Sequence, residues 1–216
     1  MMTSTPIRQE PLDDPGVESL LERARQGDTE PVGQLLQLYQ NYLTILATIQ
    51  LDHRLRRRMN PSDLVQEAML AAHRDFAKFR GTSEREFLAW LRQVLINCLH
   101  HAIDVHLRAK KRDIRREVPI EQISAALDHS VLTFAHVLAD QGASPSVCVG
   151  RRERAVALAD QLGQLKPEYR DVIVLRNLQG LSFDEIADRM DRKTGAVRML
   201  WLRAIERFKQ VYKPLD

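Results

Sequence analysis

Residues 165–208 read LKPEYRDVIVLRNLQGLSFDEIADRMDRKTGAVRMLWLRAIERF, with apolar side chains at Ile186, Ala187, Met190, Val197 and Leu200. Residues three and four apart share a helix face, so this spacing requires two short amphipathic helices packed across one another through a tight turn. Ser182 followed by Glu185 is an S-x-x-E capping box, which starts the first helix near Phe183. Thr194, ahead of Gly195 and a fresh apolar period, is placed to cap the second. Asp191 stands in the turn where such units often carry a left-handed glycine; aspartate adopts that conformation less readily, so a slightly different turn is expected. In the second helix Val197, Leu200, Trp201, Ala204 and Phe208 form the inward stripe, and Arg198, Met199, Leu202 and Arg203 fall on another side.

The rest of the chain carries the same period. Val17 to Gln26 forms a short helix ended by Gly27, and Asp28 caps a longer one with apolar residues from Leu35 to Ile49 around much of its surface. Asn60-Pro61 opens a helix running to about Phe79, since proline suits the first helical position, and Arg80-Gly81 stops it. Ser83 and Glu86 form another capping box ahead of a helix to about Arg108. Helical periodicity resumes at Arg152, and a further helix spans Pro167 to Asn177. With no strand-like alternation or internal repeat, the expected fold is all-α: two small helical domains joined by a linker. Residues 1–16, with Pro6, Pro11 and Pro15, form a tail, 17–112 a first module, and 152–213 a second. Residues 113–151 are the linker, with room for a short helix around Glu121–Leu127 or Leu132–Leu138.

Composition narrows the function classes. Cys98 and Cys148 are far apart, which excludes a thiol zinc site or disulfide framework and makes both packing residues suited to a reducing cytoplasm. His100, His101 and His106 lack a carboxylate or cysteine to complete a ligand set, so no metal is expected. The tail has neither signal-peptide nor anchor character, and no stretch approaches the roughly 20 apolar residues of a membrane span. Net charge is only +3, so the location of the charge carries the information. Arg192 to Lys213 holds seven Lys or Arg against one acid, Glu206, which points to a polyanion. On the second helix of the pair, Arg198 and Arg203 suit guanine edges or phosphates, and Met199 and Leu202 suit thymine methyl groups.

Two further surfaces stand out. In the helix from Asn60, the stripe Leu64, Val65, Ala68, Ala72, Phe76 and Phe79 faces inward, leaving Asp63, Gln66, Glu67 and Leu70 on the other side. An acidic and amide face with one exposed leucine fits docking to a basic helical partner, since charge guides encounter and the apolar patch holds it. In the next helix Phe87, Trp90, Leu91, Val94, Leu95, Cys98, Ala102 and Val105 form the expected buried stripe. Asn97, His101, Asp104 and Arg108 share another face, and basic residues from Lys110 to Arg116 follow. That face suits single-stranded DNA, with the Arg80–Phe87 loop as a pocket for an unstacked base.

DLVQE followed by FRGTSEREFLAWLRQVLINCL, and then LKPEYRDVIVLRNLQGLSFDEIADRM with GAVRMLWLRA, together resemble a bacterial RNA polymerase sigma factor of the extracytoplasmic-function group. The resemblance covers roughly Val17–Arg112, similar to region 2, and Arg152–Tyr212, similar to region 4, with no region 1 or region 3 domain. It implies that Asp63, Gln66, Glu67 and Leu70 bind core RNA polymerase, at the clamp helices of its largest subunit. It implies that Arg80, Gly81 and Phe87 of the loop, with Asn97, His101 and Arg108, hold the non-template strand of the minus-ten element. It implies that Thr194, Arg198, Met199, Leu202 and Arg203 contact the minus-thirty-five element. His101, Met199 and Leu202 depart from the usual residues, so base preference does not carry over. Core polymerase and promoter DNA are the implied partners, an anti-sigma factor is a candidate third, and neither catalysis, cofactor nor small-molecule substrate is expected. The alternative is an autonomous helix-turn-helix regulator that reads a palindrome as a dimer. A DNA-processing enzyme is disfavoured by the lack of a nucleophile, paired acids or a metal set.

Overall fold

The computed structural model describes residues 16–51, 56, 58–107 and 150–212. The tail, nearly all of the expected linker and its short helices, Arg108 and Cys148 lie outside the described residues. Among the described residues eight α-helices follow in order: α1 Val17–Arg25, α2 Glu30–Gln50, α3 Pro61–Asp75, α4 Glu84–Leu107, α5 Gly150–Gly163, α6 Pro167–Ile173, α7 Phe183–Met190 and α8 Thr194–Val211.

Helix α2 is the central post, because it is apolar on nearly every side. Leu35, Tyr39, Tyr42, Leu43, Ala47 and Leu51 are each at most 1% exposed. Burying a side chain of that size stabilises the fold by about 1.5–3 kcal/mol, which makes α2 the element the others pack against. Two phenols tie α4 to it: Tyr39 donates to Glu84 at 2.8 Å, and Tyr42 accepts from Arg92 Nε at 2.6 Å. Burial, and then the Glu84 hydrogen bond, push the Tyr39 phenol well above its ordinary value, so it stays a donor.

The helix ends follow local chemistry. Asn60 accepts from the Asp63 amide at 3.0 Å while Asp63 accepts from the Asn60 amide at 3.3 Å, and Pro61 sits at the first helical position. Helix α3 then tightens into a 3₁₀ turn, Phe76–Lys78, before the chain becomes extended at Phe79. Asp28 acts one residue earlier than a cap: it accepts from the Glu30 amide at 3.1 Å, and Thr29 holds the cap position.

Two expectations need correction. Val105 is 55% exposed rather than part of the α4 stripe, which instead includes Leu88 and Leu99 at 1% and 7%. The Pro167–Asn177 helix is not uniform: beyond Ile173 it widens into a π-helical turn, Val174–Leu178, closed by Gln179 N–H donating to the Val174 carbonyl at 3.0 Å. The two modules also lie against each other along α2. Asn41 donates to Asp160 of α5 at 3.0 Å, and Gln179 donates to the Ile49 carbonyl at 2.7 Å. Arg56 pairs with Asp171 of α6 at 3.3 Å. Gly163 lets α5 approach closely here: a Cβ there would come within 2.6 Å of the Asn41 side chain and displace its amide.

Candidate nucleic-acid interface

Helices α7 and α8 build the first surface. The Ser182–Glu185 capping box forms as expected, with Ser182 N–H donating to the Glu185 carboxylate at 2.7 Å and Glu185 N–H to the Ser182 hydroxyl at 3.2 Å. These bonds hold the Glu185 carboxyl below its ordinary range. Asp191 does adopt the left-handed conformation, at φ 52° and ψ 50°, contrary to the expected altered turn. The turn geometry required by crossing helices outweighs the aspartate's reluctance. Thr194 is not the cap of α8; Lys193 occupies that position, and the Thr194 hydroxyl donates to Asp184 at 2.7 Å, tying the start of α8 to α7.

Val197, Leu200, Ala204 and Phe208 of α8 are buried, which leaves Arg198, Met199, Leu202 and Arg203 together on its exposed side. Arg192 is already engaged, with Glu168 at 2.6 Å. Sequence reasoning missed the support beneath this face. The Phe183 ring lies under the guanidinium carbons of Arg176 and Arg198, 4.7 Å and 5.6 Å from its centroid, and meets Trp201 edge-on. Trp201 donates to Asn177 at 3.0 Å, so the π-helical turn anchors α8. An aromatic opening a helix directly after its capping serine is a weak signal, because only the crossing of α7 over α8 brings it to Arg198.

Helix α3 presents Asp63, Gln66, Glu67 and Leu70 as an exposed row, with Leu64, Val65 and Ala68 buried behind them. Part of the Asp63 carboxylate is occupied at the helix cap, so its free valence is smaller than its sequence position suggests.

The loop between α3 and α4 is the third surface. Phe76, Phe79, Phe87 and Trp90 form a ring cluster beneath it, with centroids 5.3–6.3 Å apart. Phe87 is 0% exposed, in agreement with its place in the α4 stripe, which corrects its place as a residue touching DNA: it supports the loop from below. Arg80 is exposed, Gly81 half-buried, and Trp90 half-buried against the cluster. On α4, Asn97 and His101 are exposed one turn apart, and Gln93 donates to the Asn97 carbonyl at 3.0 Å, leaving the Asn97 amide hydrogens turned outward for other acceptors. No group of three metal-ligating side chains occurs among the described residues.

The Sigma-70 region 2 family model matches residues 38–112, and the Sigma-70, region 4 model matches residues 155–208. Over 198 residues the chain is 30% identical to the ECF RNA polymerase sigma-E factor of Haemophilus influenzae, covering 92% of this chain and 96% of that protein. The chain belongs to the sigma-70 family of RNA polymerase sigma factors, in its extracytoplasmic-function group. It is a sigma factor, directing promoter recognition for transcription initiation. This sigma factor is also 29% identical to the RNA polymerase sigma-H factor of Pseudomonas aeruginosa, covering 92% of this chain and 94% of that one. It is 28% identical to the ECF RNA polymerase sigma-E factor of Escherichia coli, covering 91% and 94%. Membership decides against the autonomous regulator. The all-α fold with region 2 and region 4 modules agrees with the expectation from sequence. Helix α1 and the first part of α2 lie outside the region 2 match.

Proposed function

We propose that the sigma factor divides its work among these three surfaces. Asp63, Gln66, Glu67 and Leu70 dock on a basic, helical element of core polymerase. Thr194, Arg198, Met199, Leu202 and Arg203 capture the upstream duplex element, Thr194 by holding the start of α8. Arg80, Gly81, Asn97 and His101 hold the displaced strand of the downstream element, and Arg108 extends that basic path. The borders 17–112 and 152–213 separate the two functional units. Core enzyme, in the cytoplasm, supplies the metal and the bond-making chemistry, so this chain works without a cofactor or small-molecule substrate. An anti-sigma factor restraining it has to cover one of these surfaces.

The observation that carries the reading is the exposure of Leu70, Met199 and Leu202, at 73%, 50% and 53%, each among polar or charged neighbours. A large apolar side chain inside a charged row supplies the contact that holds a charge-guided encounter. Run-off transcription with core enzyme tests it. Charge reversal at Asp63 and Glu67 should abolish core binding and transcription together, while Arg203→Ala should weaken discrimination at the upstream element by roughly 1–3 kcal/mol. Core binding unaffected by the charge reversal would refute the docking assignment.

A further inference from the structure

We propose that Arg25, at the end of α1, is a positioning residue of the minus-ten loop: its guanidinium and the Glu86 carboxylate together fix the backbone that presents Arg80 and Thr82 to the unstacked base. The proposal rests on the reading of this loop as the base-holding surface.

The loop's polar backbone is held by two opposite charges. Arg25 Nη2 donates to the Arg80 carbonyl at 2.9 Å and also to the Gly81 carbonyl. That nitrogen carries two hydrogens, so one atom serves two successive acceptors. From the other side the Glu86 carboxylate accepts from the Thr82 amide at 2.8 Å, the Ser83 amide at 3.1 Å and the Ser83 hydroxyl at 2.9 Å. The Thr82 and Ser83 backbone bonds and the Ser83 hydroxyl hold the Glu86 carboxyl below its ordinary range, so it remains an acceptor at neutral pH. The peptide between Gly81 and Thr82 is therefore gripped at both ends, its carbonyl by a cation and its amide by an anion. Charge-assisted hydrogen bonds of this kind are shorter and stronger than neutral ones.

Packing closes the third direction. A Cβ on Gly81 would lie 2.4 Å and 2.6 Å from two atoms of the Phe79 ring and 2.7 Å from Glu86 Cβ, so the loop lies directly on the ring cluster. With these backbone groups satisfied internally, reading falls to the exposed side chains of Arg80 and Thr82, the Thr82 hydroxyl itself steadied by donation to Glu86 at 3.4 Å. A site that extrudes a base gains selectivity only if its walls do not rearrange, which is the work such a clamp performs. Arg25 is 55 residues from its acceptor and outside the region 2 match, so α1 becomes part of the melting apparatus rather than an appendage. Its exposure means that its removal leaves the core intact.

The test uses the full-length protein bound to core enzyme and labelled single strands carrying the non-template minus-ten sequence of a promoter selected by run-off transcription. Affinity is measured for that strand and for each single-base replacement. Arg25→Ala should lower discrimination at the base held by the loop about tenfold, the effect of one lost charge-assisted contact, with core binding and upstream duplex binding unchanged. Arg25→Lys, whose ammonium can donate to both carbonyls, should restore most of it. Unchanged discrimination in Arg25→Ala, alongside a loss in Arg80→Ala or Thr82→Ala, overturns the proposal and leaves the loop's role standing. A uniform loss across all strands with a shallower salt dependence also overturns it, because Arg25 would then be a phosphate contact. Full discrimination in all of these variants removes the base-holding role of the loop itself.

Discussion

Removing the Asp171 carboxylate should shift the two modules toward separation rather than unfold either. Arg56 and Asp171 have side chains only 11% and 13% exposed and meet at 3.3 Å across the contact between the modules. Arg56 also donates to the Thr48 carbonyl at 3.2 Å, but its Nε has no partner. Burial pushes the guanidinium below its ordinary value by more than the Asp171 carboxylate raises it. Arg170 Nε also donates to Asp171 at 3.4 Å, its side chain only 11% exposed, so one carboxylate compensates two buried guanidiniums. Breaking such a pair on one side costs about 3–5 kcal/mol when the surroundings cannot relax. Here they can, by letting α6 leave and returning Arg56 to water. The remaining polar bridges, Asn41 to Asp160 and Gln179 to Ile49, contribute roughly 0.5–1.5 kcal/mol each, and the buried Leu158, Ala159 and Leu162 of α5 keep apolar contact with α2. Asp171→Ala should thus shift the closed-to-open ratio by about a hundredfold, near 3 kcal/mol. Small-angle scattering measures it: a compact chain of this length has a radius of gyration of about 17 Å, and the variant should be larger. Replacing all three, Arg56→Leu, Arg170→Leu and Asp171→Leu, should restore the compact value, because the apolar set leaves no buried charge unpaired. If Asp171→Ala stays compact with unchanged melting, the pair does not hold the contact and the reasoning fails. The shift also bears on promoters. Elements centred at minus ten and minus thirty-five lie about 85 Å apart at 3.4 Å per base pair, whereas a compact chain of this length is roughly 45 Å across, so the Asp171→Ala variant is expected to engage both more readily.

Phe183→Leu should reduce discrimination at the upstream element by about 0.5–1 kcal/mol, the worth of an exposed cation–π contact, and should add nothing when Arg198 is already alanine; binding to substituted duplexes in the four variants checks this. Asp191→Gly should raise the stability of the second module by roughly 0.5–1 kcal/mol, since glycine meets φ 52° without the Cβ clash, and denaturant melts decide it. Ser182→Ala should cost about 1 kcal/mol through the lost cap. Because Glu185 titrates below its unfolded value, its contribution is complete above the ordinary carboxylate range and fades as pH falls through the folded value. Glu185→Gln should therefore flatten the acid limb of the stability profile below roughly pH 5, as thermal melts against pH can measure.

What the amino-acid order determined by itself is what local physics encodes. The Ser182–Glu185 and Asn60-Pro61 starts, the inward stripes of α3 and α8, and the exposed rows around Leu70 and Met199 all follow from 3.6-residue periodicity and the hydrogen-bonding demands of helix ends. These features need no knowledge of what lies opposite. Tertiary structure decided everything that joins residues distant in the chain. It carried Arg25 to the carbonyls of Arg80 and Gly81, slid Phe183 beneath Arg198, and set Arg56 against Asp171. Asp191 belongs to both sides of this division: its residue type disfavours the left-handed turn, and the crossing of α7 over α8 imposes it. Periodicity says which face of a helix is apolar, whereas which partner fills that face depends on packing and charge between segments tens of residues apart.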